Sequence, residues 1–139
     1  MTRKEQRKEK LIKEQLFLKS IEGKVLSQVE KAKFRETSVW KDFRKRFAGS
    51  KDPITLRPLP KRYNLHHLCL NPKEYQVLKM DRFVPLNSTT HDIVHYLYKY
   101  YRKDKNILKR LKAVLDKMVE VNDGKDVCDY KKAKNERVN

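Results

Sequence analysis

The segment YNLHHLCL, residues 63–70, decides how this chain folds, because it places His66 and His67 side by side in a β-prone stretch. All four histidines of the chain fall between residues 66 and 95, and the other two, His91 and His95, are four residues apart. The pieces YNLHHL and RFVPL (82–86) predict short strands, and THDIVHYLYKYYRK, entered at about Ser88, predicts a helix. The order is therefore strand, loop, strand, helix, with histidines on the first strand and on the helix.

The spacing of the histidines predicts two different jobs for them. Residues i and i+4 of a helix project on the same side, about 6 Å apart, so His91 and His95 can bind one metal ion. Adjacent residues of a strand point to opposite faces, so His66 and His67 are not expected to act alike. Either one faces the metal and the other a substrate, or the strand ends and twists there. The first alternative gives three histidines on a metal and one left as a base.

The flanking sequence predicts helices. Residues 3 to about 36 lack proline and repeat apolar residues at spacings of three and four, which predicts one long helix. A second helix from Ser38 places Trp40, Phe43 and Phe47 on one face. Within 54–70, ITL and YNLHHL are strand candidates, and another helix is predicted from about Asp104 to Val121.

The predicted organisation is one compact α+β domain in four segments. These are a basic helical N-terminal region (1–50), a core (51–102), a C-terminal helix packed on that core (103–122) and a basic tail (123–139). The N-terminal helix can pair with itself or with another protein, although packing on its own domain is an equal alternative.

The charge of the chain indicates a polyanionic partner. The 139 residues carry a net charge of +17, divided as +8 in residues 1–50, +4 in 51–100 and +5 in 101–139. A chain that is basic throughout suits nucleic acid, and DNA is the partner we expect. The sequence predicts no membrane association, since no apolar run is long enough to span a bilayer. The N-terminus leads into no apolar signal region, so we expect a cytoplasmic protein in which Cys69 and Cys128 are free thiols.

The stretch DPITLRPLPKRYNLHHL…DRFVPLNSTTHDIVH resembles the HNH endonucleases, also called His-Me finger or ββα-metal nucleases, and is similar to small phage-encoded HNH proteins. The resemblance covers about residues 52–97, roughly a third of the chain, and leaves the flanking helices unexplained. It implies a ββα-metal finger, a two-stranded hairpin plus a helix, embedded between the N- and C-terminal helices. If the chain is phage-encoded, the location implied is the host cytoplasm.

The resemblance also implies roles for the four histidines. His67 matches the catalytic histidine that activates water, His66 and His91 match the metal ligands, and His95 matches a third ligand or a phosphate contact. Imidazole ligands favour Zn²⁺ or Ni²⁺ in affinity, while the resemblance allows Mg²⁺ or Mn²⁺ as the working ion. The basic residues beside the motif are candidates for phosphate contacts: Arg57, Lys61, Arg62 and Arg82.

Two departures from the family pattern carry structural expectations. The cysteine pairs that bind a structural zinc in many members are absent where this chain has KDPIT and LNSTTH, so we expect packing by Trp40, Phe43 and Phe47 to hold the finger. Arg82 stands where the family has an asparagine that ties the loop to the hairpin. Either another residue pins the loop, or the site is looser than usual.

Three functional hypotheses follow from the sequence. The first is a metal-dependent HNH endonuclease that hydrolyses DNA phosphodiester bonds, either nicking or cutting both strands. The second is a non-catalytic DNA-binding protein on a degenerate HNH scaffold. The third is a zinc-stabilised binding module, which would need a closed site of four ligands.

Overall fold

The computed structural model describes residues 1–129, so the end of the predicted basic tail, residues 130–139, lies outside the described part. Within residues 1–129 there are five α-helices with both ends described, further helical residues at 127–129, one two-stranded sheet and two short 3₁₀ turns, Pro72–Glu74 and Met80–Arg82. The elements in chain order are α1 (Arg3–Ser20), α2 (Gln28–Arg35), α3 (Ser38–Lys45), β1 (Asn64–His67), β2 (Phe83–Leu86), α4 (Ser88–Tyr101) and α5 (Ile107–Val121). The prediction of an α+β fold is confirmed.

The chain falls into two compact units, Met1–Asp92 and a second that begins at Ile93, so the division lies inside the continuous helix α4. The boundaries predicted from sequence, and the packing of the C-terminal helix on the core, stay predictions. No helix among the described residues combines the length and the apolar character that a membrane span requires.

The hairpin is antiparallel and sets the phase of the two adjacent histidines. Leu65 pairs with Pro85, His66 with Val84 and His67 with Phe83. Both strands that the sequence predicted around the histidines are present. β2 (FVPL) is apolar with one β-branched residue, whereas β1 (NLHH) has none and is only partly apolar. The loop between them is tied back at its end, where the Leu68 amide donates to the Arg82 carbonyl at 2.9 Å.

The prediction of a single helix over residues 3 to about 36 is wrong, because the helix is interrupted between Ser20 and Ser27. Gly23 has φ +71°, a left-handed conformation that costs other residues about 1–2 kcal/mol. Ser27 then starts α2 with a capping box, in which its hydroxyl accepts from the Glu30 amide and the Glu30 carboxylate accepts from the Ser27 amide. An isolated glycine is tolerated inside a helix, so periodicity alone did not locate the break.

Aromatic rings from α3 pack against the hairpin, as the sequence predicted. Phe43 lies 5.1 Å from the ring of Phe83 on β2, and Trp40 lies 6.0 Å from it. Phe47 stacks edge-on against Phe43 at 5.5 Å. These rings belong to one buried cluster, whose other members are Ile21, Leu26, Phe34 and Tyr63. The core of the first unit therefore lies between the N-terminal helices and the hairpin.

The strand predicted for ITL is wrong, since residues 52–56 form a turn. The Asp52 carboxylate accepts from the amides of Ile54 (2.8 Å) and Thr55 (3.1 Å), and Leu56 has φ +61°. A side chain that bonds its own following backbone offers the chain an alternative to a sheet ladder. β-prone composition therefore did not decide the structure here; the preceding aspartate and proline did.

The helix α5 carries the apolar stripe that the sequence predicted, yet much of it is exposed. Val114, Leu115, Met118 and Val119 are each at least half exposed. The helix is therefore not a buried core element within the described residues.

Candidate functional site

Strand β1 sends its two histidines in different directions. The ring of His66 lies 5.3 Å from the ring of His91, which α4 carries in its first turn. The ring of His67 instead lies among Trp40, Tyr75 and Phe83, at centroid distances of 6.4, 4.6 and 4.6 Å. Because successive residues of a strand face opposite sides, the sequence His66-His67 supplies one imidazole to each environment.

His66, His91 and His95 together form a cluster that could hold a metal ion. Each offers one ring nitrogen, and the three nitrogens lie within 4.8 Å of one another. Ligand nitrogens that bind one Zn²⁺ ion at about 2.0–2.1 Å lie roughly 3–4 Å apart, so the cluster approaches the spacing that such an ion requires. His66 is nine-tenths buried, which fixes its ring more firmly than that of the exposed His95. The donor set is all imidazole, and it fits the transition ions better than Mg²⁺.

His67 is oriented by a backbone carbonyl. Its Nε2 lies 3.0 Å from the carbonyl oxygen of Tyr75, which can only accept, so the neutral ring carries its proton on Nε2 and its lone pair on Nδ1. Burial lowers the pKa of His67, the Tyr75 carbonyl acts in the opposite direction, and the charges of Lys31 and Arg35 lower it further. The net result is a pKa below the ordinary 6.5, so the imidazole is neutral near pH 7.

A cleft in the first unit brings His67 and His91 together with two arginines from the N-terminal helices. Its lining is aromatic and basic, and comprises Arg35, Trp40, Arg44, Tyr63, Asn64, Leu65, His67, Tyr75 and His91. The guanidinium of Arg35 donates to the Tyr75 hydroxyl at 2.8 Å. The guanidinium of Arg44 donates to the carbonyls of Lys61 and Tyr63 and lies 3.8 Å above the Tyr63 ring.

The basic residues predicted from sequence lie elsewhere. Arg57, Lys61 and Arg62 are exposed and do not belong to the residues that line this cleft. Their role as phosphate contacts stays a prediction. Arg35 and Arg44 were missed because nothing in the local sequence of α2 and α3 links them to residues 63–75.

The start of α4, and with it His91, is fixed by a buried carboxylate. Asp52 is 1% exposed and accepts hydrogen bonds from the Asn87 amide (3.0 Å), the Asn87 side chain (2.9 Å) and the Thr90 hydroxyl (2.5 Å). Asn87 in turn caps the helix, since its side-chain oxygen accepts from the Thr90 amide at 2.9 Å. Burial acts to raise the pKa of Asp52, but the hydrogen bonds outweigh it and lower the pKa to about 2.

This network joins KDPIT to LNSTTH, the two segments in which the resemblance marks missing cysteines. The sequence predicted that packing of aromatic rings holds the finger together. The structure adds to that packing the hydrogen bonds of Asp52, which join the two segments directly. The sequence signal was available, since Asp52 before a proline is a frequent turn former and Asn87 is a good helix cap.

Arg82 connects the loop to the hairpin through both its backbone and its side chain. Its guanidinium donates to the Glu74 carboxylate at 3.2 Å, and the same carboxylate oxygen accepts from the Cys69 thiol at 2.7 Å. The thiol hydrogen bond and the charge of Arg82 lower the pKa of Glu74. Arg82, where the resemblance implies an asparagine, thus ties the loop down by an ion pair, and its side chain is less than half exposed.

No family model, no curated protein and no solved structure matches this chain.

Proposed function

We propose that the chain is a metal-dependent HNH endonuclease that hydrolyses phosphodiester bonds in DNA, built on a ββα-metal finger made of β1, β2 and α4. The observation that supports this most is the orientation of His67. Its Nε2 is committed to the Tyr75 carbonyl at 3.0 Å, so the basic nitrogen is Nδ1, on a ring that lines the same cleft as His91. A neutral, oriented imidazole beside a cluster of metal-binding imidazoles is what water activation at a phosphate requires.

In this proposal one histidine accepts the proton of the attacking water and the other three would bind the metal ion. His67 accepts a proton from the attacking water through Nδ1, and the Tyr75 carbonyl stabilises the imidazolium that results. His66, His91 and His95 would hold one divalent ion, which supplies charge neutralisation at the scissile phosphate and at the departing 3′ oxygen. His91 lies in the first turn of α4, where the helix N-terminus also favours a phosphate group.

The net charge of +17 supports DNA as the substrate, since sequence-independent affinity for DNA comes from basic side chains at phosphates. We place no recognition module on the chain, so weak sequence specificity, or targeting by a partner, fits this proposal.

The test uses supercoiled plasmid with Mg²⁺, Mn²⁺, Ni²⁺ or Zn²⁺, against EDTA. Because His67 lies between aromatic rings, alanine would leave a cavity, so the informative variant is His67→Phe, which keeps a ring of similar size but has no basic nitrogen. We expect metal-dependent conversion to open-circle or linear DNA by the wild-type chain and none by His67→Phe. Metal affinity, far-UV circular dichroism and DNA binding should be retained, which shows that the variant is folded and loaded.

A wild-type chain that cuts in no metal while it still binds DNA, or a His67→Phe variant that cuts as well as wild type, would refute the proposal. The first result favours the second candidate, a non-catalytic DNA-binding protein. One observation supports that candidate: the His67 ring lies 4.6 Å from both Tyr75 and Phe83, as a histidine with a packing role would. In that case His67→Phe leaves DNA affinity unchanged and there is no cleavage to lose.

A further inference from the structure

Tyr75 contacts both the candidate base and a cation of the cleft. Its backbone carbonyl accepts from His67, while its side-chain hydroxyl accepts from the Arg35 guanidinium at 2.8 Å. Its ring stacks on the His67 ring at 4.6 Å with an interplanar angle of 18°, and meets Phe34 edge-on at 6.1 Å. The ammonium of Lys31 lies 4.9 Å from the centre of the same ring. Tyr75 is thereby held on several sides at once.

Arg35 differs from Arg44 in what its charge faces. The guanidinium of Arg44 donates to two backbone carbonyls and packs over the ring of Tyr63, so it fixes the chain before β1. Arg35 is exposed, and its hydrogen bond to Tyr75 uses one of five donors on a neutral oxygen. Among the ion pairs within residues 1–129, none includes Arg35. Its positive charge is therefore not neutralised by a carboxylate of the described chain.

A guanidinium held at one nitrogen and open at the others is suited to a phosphate. The planar fork binds phosphate oxygens through two parallel N–H groups, and pre-organisation reduces the side-chain entropy lost on binding. Arg35 has this arrangement on the wall of the cleft that contains His67 and His91.

We infer that Tyr75 is a positioning residue, which holds Arg35 at the cleft so that its guanidinium binds the phosphate backbone of the nucleic-acid substrate. This rests on the proposed function and names one contact of the same site. It assigns one phosphate of the substrate to the end of α2, where Arg35 lies. Tyr75 thus links the residue that binds a phosphate to the residue that activates water.

The first measurement is DNA affinity without metal, by fluorescence anisotropy of a short duplex at several salt concentrations. Arg35→Ala should weaken binding about tenfold, as expected for loss of a charge-assisted contact. It should also reduce the slope of log K against log salt by about 0.9, the value for one phosphate contact. Tyr75→Phe keeps the ring and the backbone carbonyl, and should weaken binding roughly threefold with the fold unchanged.

The double variant Tyr75→Phe/Arg35→Ala decides whether Tyr75 acts through Arg35. If it does, the double variant binds no more weakly than Arg35→Ala alone. Additive losses would overturn the inference, because Tyr75 would then act independently. Tyr96→Phe, at an exposed tyrosine of α4, and Arg46→Ala, at an exposed arginine outside the cleft lining, are the matched controls.

Cleavage kinetics add a readout that a merely structural role would not give. Tyr75→Phe should raise KM and leave kcat nearly unchanged, because the carbonyl that orients His67 is retained. A chain that binds DNA with the Arg35-dependent salt slope but does not cut would refute the nuclease proposal and uphold this contact. A chain that cuts, but whose salt slope and KM are unchanged by Arg35→Ala, would uphold the nuclease proposal and overturn the Arg35 contact. A chain that does not bind DNA would overturn both.

Discussion

Replacing Asp52 with asparagine should destabilise the first unit, because the carboxylate accepts hydrogen bonds at both oxygens. One oxygen accepts from the amides of Ile54 and Thr55, and the other from Asn87 and Thr90. An asparagine has one oxygen and one NH₂ group, so donors would face donors on one side. The site is 1% exposed and admits little solvent to compensate.

The lowered pKa of Asp52 gives the size of the effect and its dependence on pH. A pKa that falls from 3.8 in the unfolded chain to about 2 in the folded chain corresponds to about 2 kcal/mol of stabilisation. Because the folded-state pKa is the lower one, this contribution is fully present above pH 3.8. It disappears as the pH falls towards 2, where the folded protein also takes up the proton.

Urea unfolding followed by circular dichroism at pH 7, and at steps down to about pH 2, measures the difference between wild type and Asp52→Asn. We expect a loss of about 2–3 kcal/mol at pH 7, as for an ionised hydrogen-bond acceptor removed from a buried site. The difference should narrow on acidification between the two pKa values. Asp81→Asn is the matched control, since Asp81 is an exposed aspartate in the same unit.

Two results would contradict this account of Asp52. One is an unfolding free energy within about 0.5 kcal/mol of wild type at pH 7, which is the range of ordinary surface substitutions. The other is a difference that stays constant down to pH 2, since a purely steric effect would not titrate.

Three further outcomes test other contacts. His91→Ala should weaken Ni²⁺ or Zn²⁺ binding in titration calorimetry by more than about tenfold while leaving the α4 helix signal intact, and an unchanged affinity would remove it from the ligand set. Gly23→Ala should cost about 1–2 kcal/mol in urea unfolding, because φ is +71° there, and a neutral result would mean that the turn relaxes. Arg82→Ala should cost less than about 1 kcal/mol, as its ion pair with Glu74 is partly exposed, whereas a loss above 2 kcal/mol would show that the pair is essential to the loop.

Local sequence patterns predicted the elements that carry the histidines, because those elements are decided by short-range physics. Short stretches bounded by loop residues marked β1 and β2, and helical spacing of apolar residues marked α4. The break at Gly23 was missed because a lone glycine interrupts no periodicity. The turn at 52–56 was missed although its signal, an aspartate before a proline, is local. The bonds of Asp52 to Asn87 and Thr90 had no local signal, since they span more than 30 residues.

The candidate site was predictable only in the histidine cluster that could hold a metal ion. His66, His91 and His95 share a spacing that a strand followed by a helix brings together. The contacts of His67 with Tyr75, and of Tyr75 with Arg35, depend on how the loop after β1 packs on α2, and 40 positions separate Tyr75 from Arg35. No periodic signal spans such a separation, so these residues emerge only from the folded chain.

Because side chains alternate along β1, the position of each histidine in the strand fixes the face that its ring occupies. His66 and His67 serve opposite faces, so inserting or deleting one residue before them in the strand would exchange their environments. A change of two residues would restore the phase. Residues added between Leu68 and Met80 would leave the phase of both strands untouched, but they would displace the contacts that Glu74 makes with Arg82 and Tyr75 makes with His67.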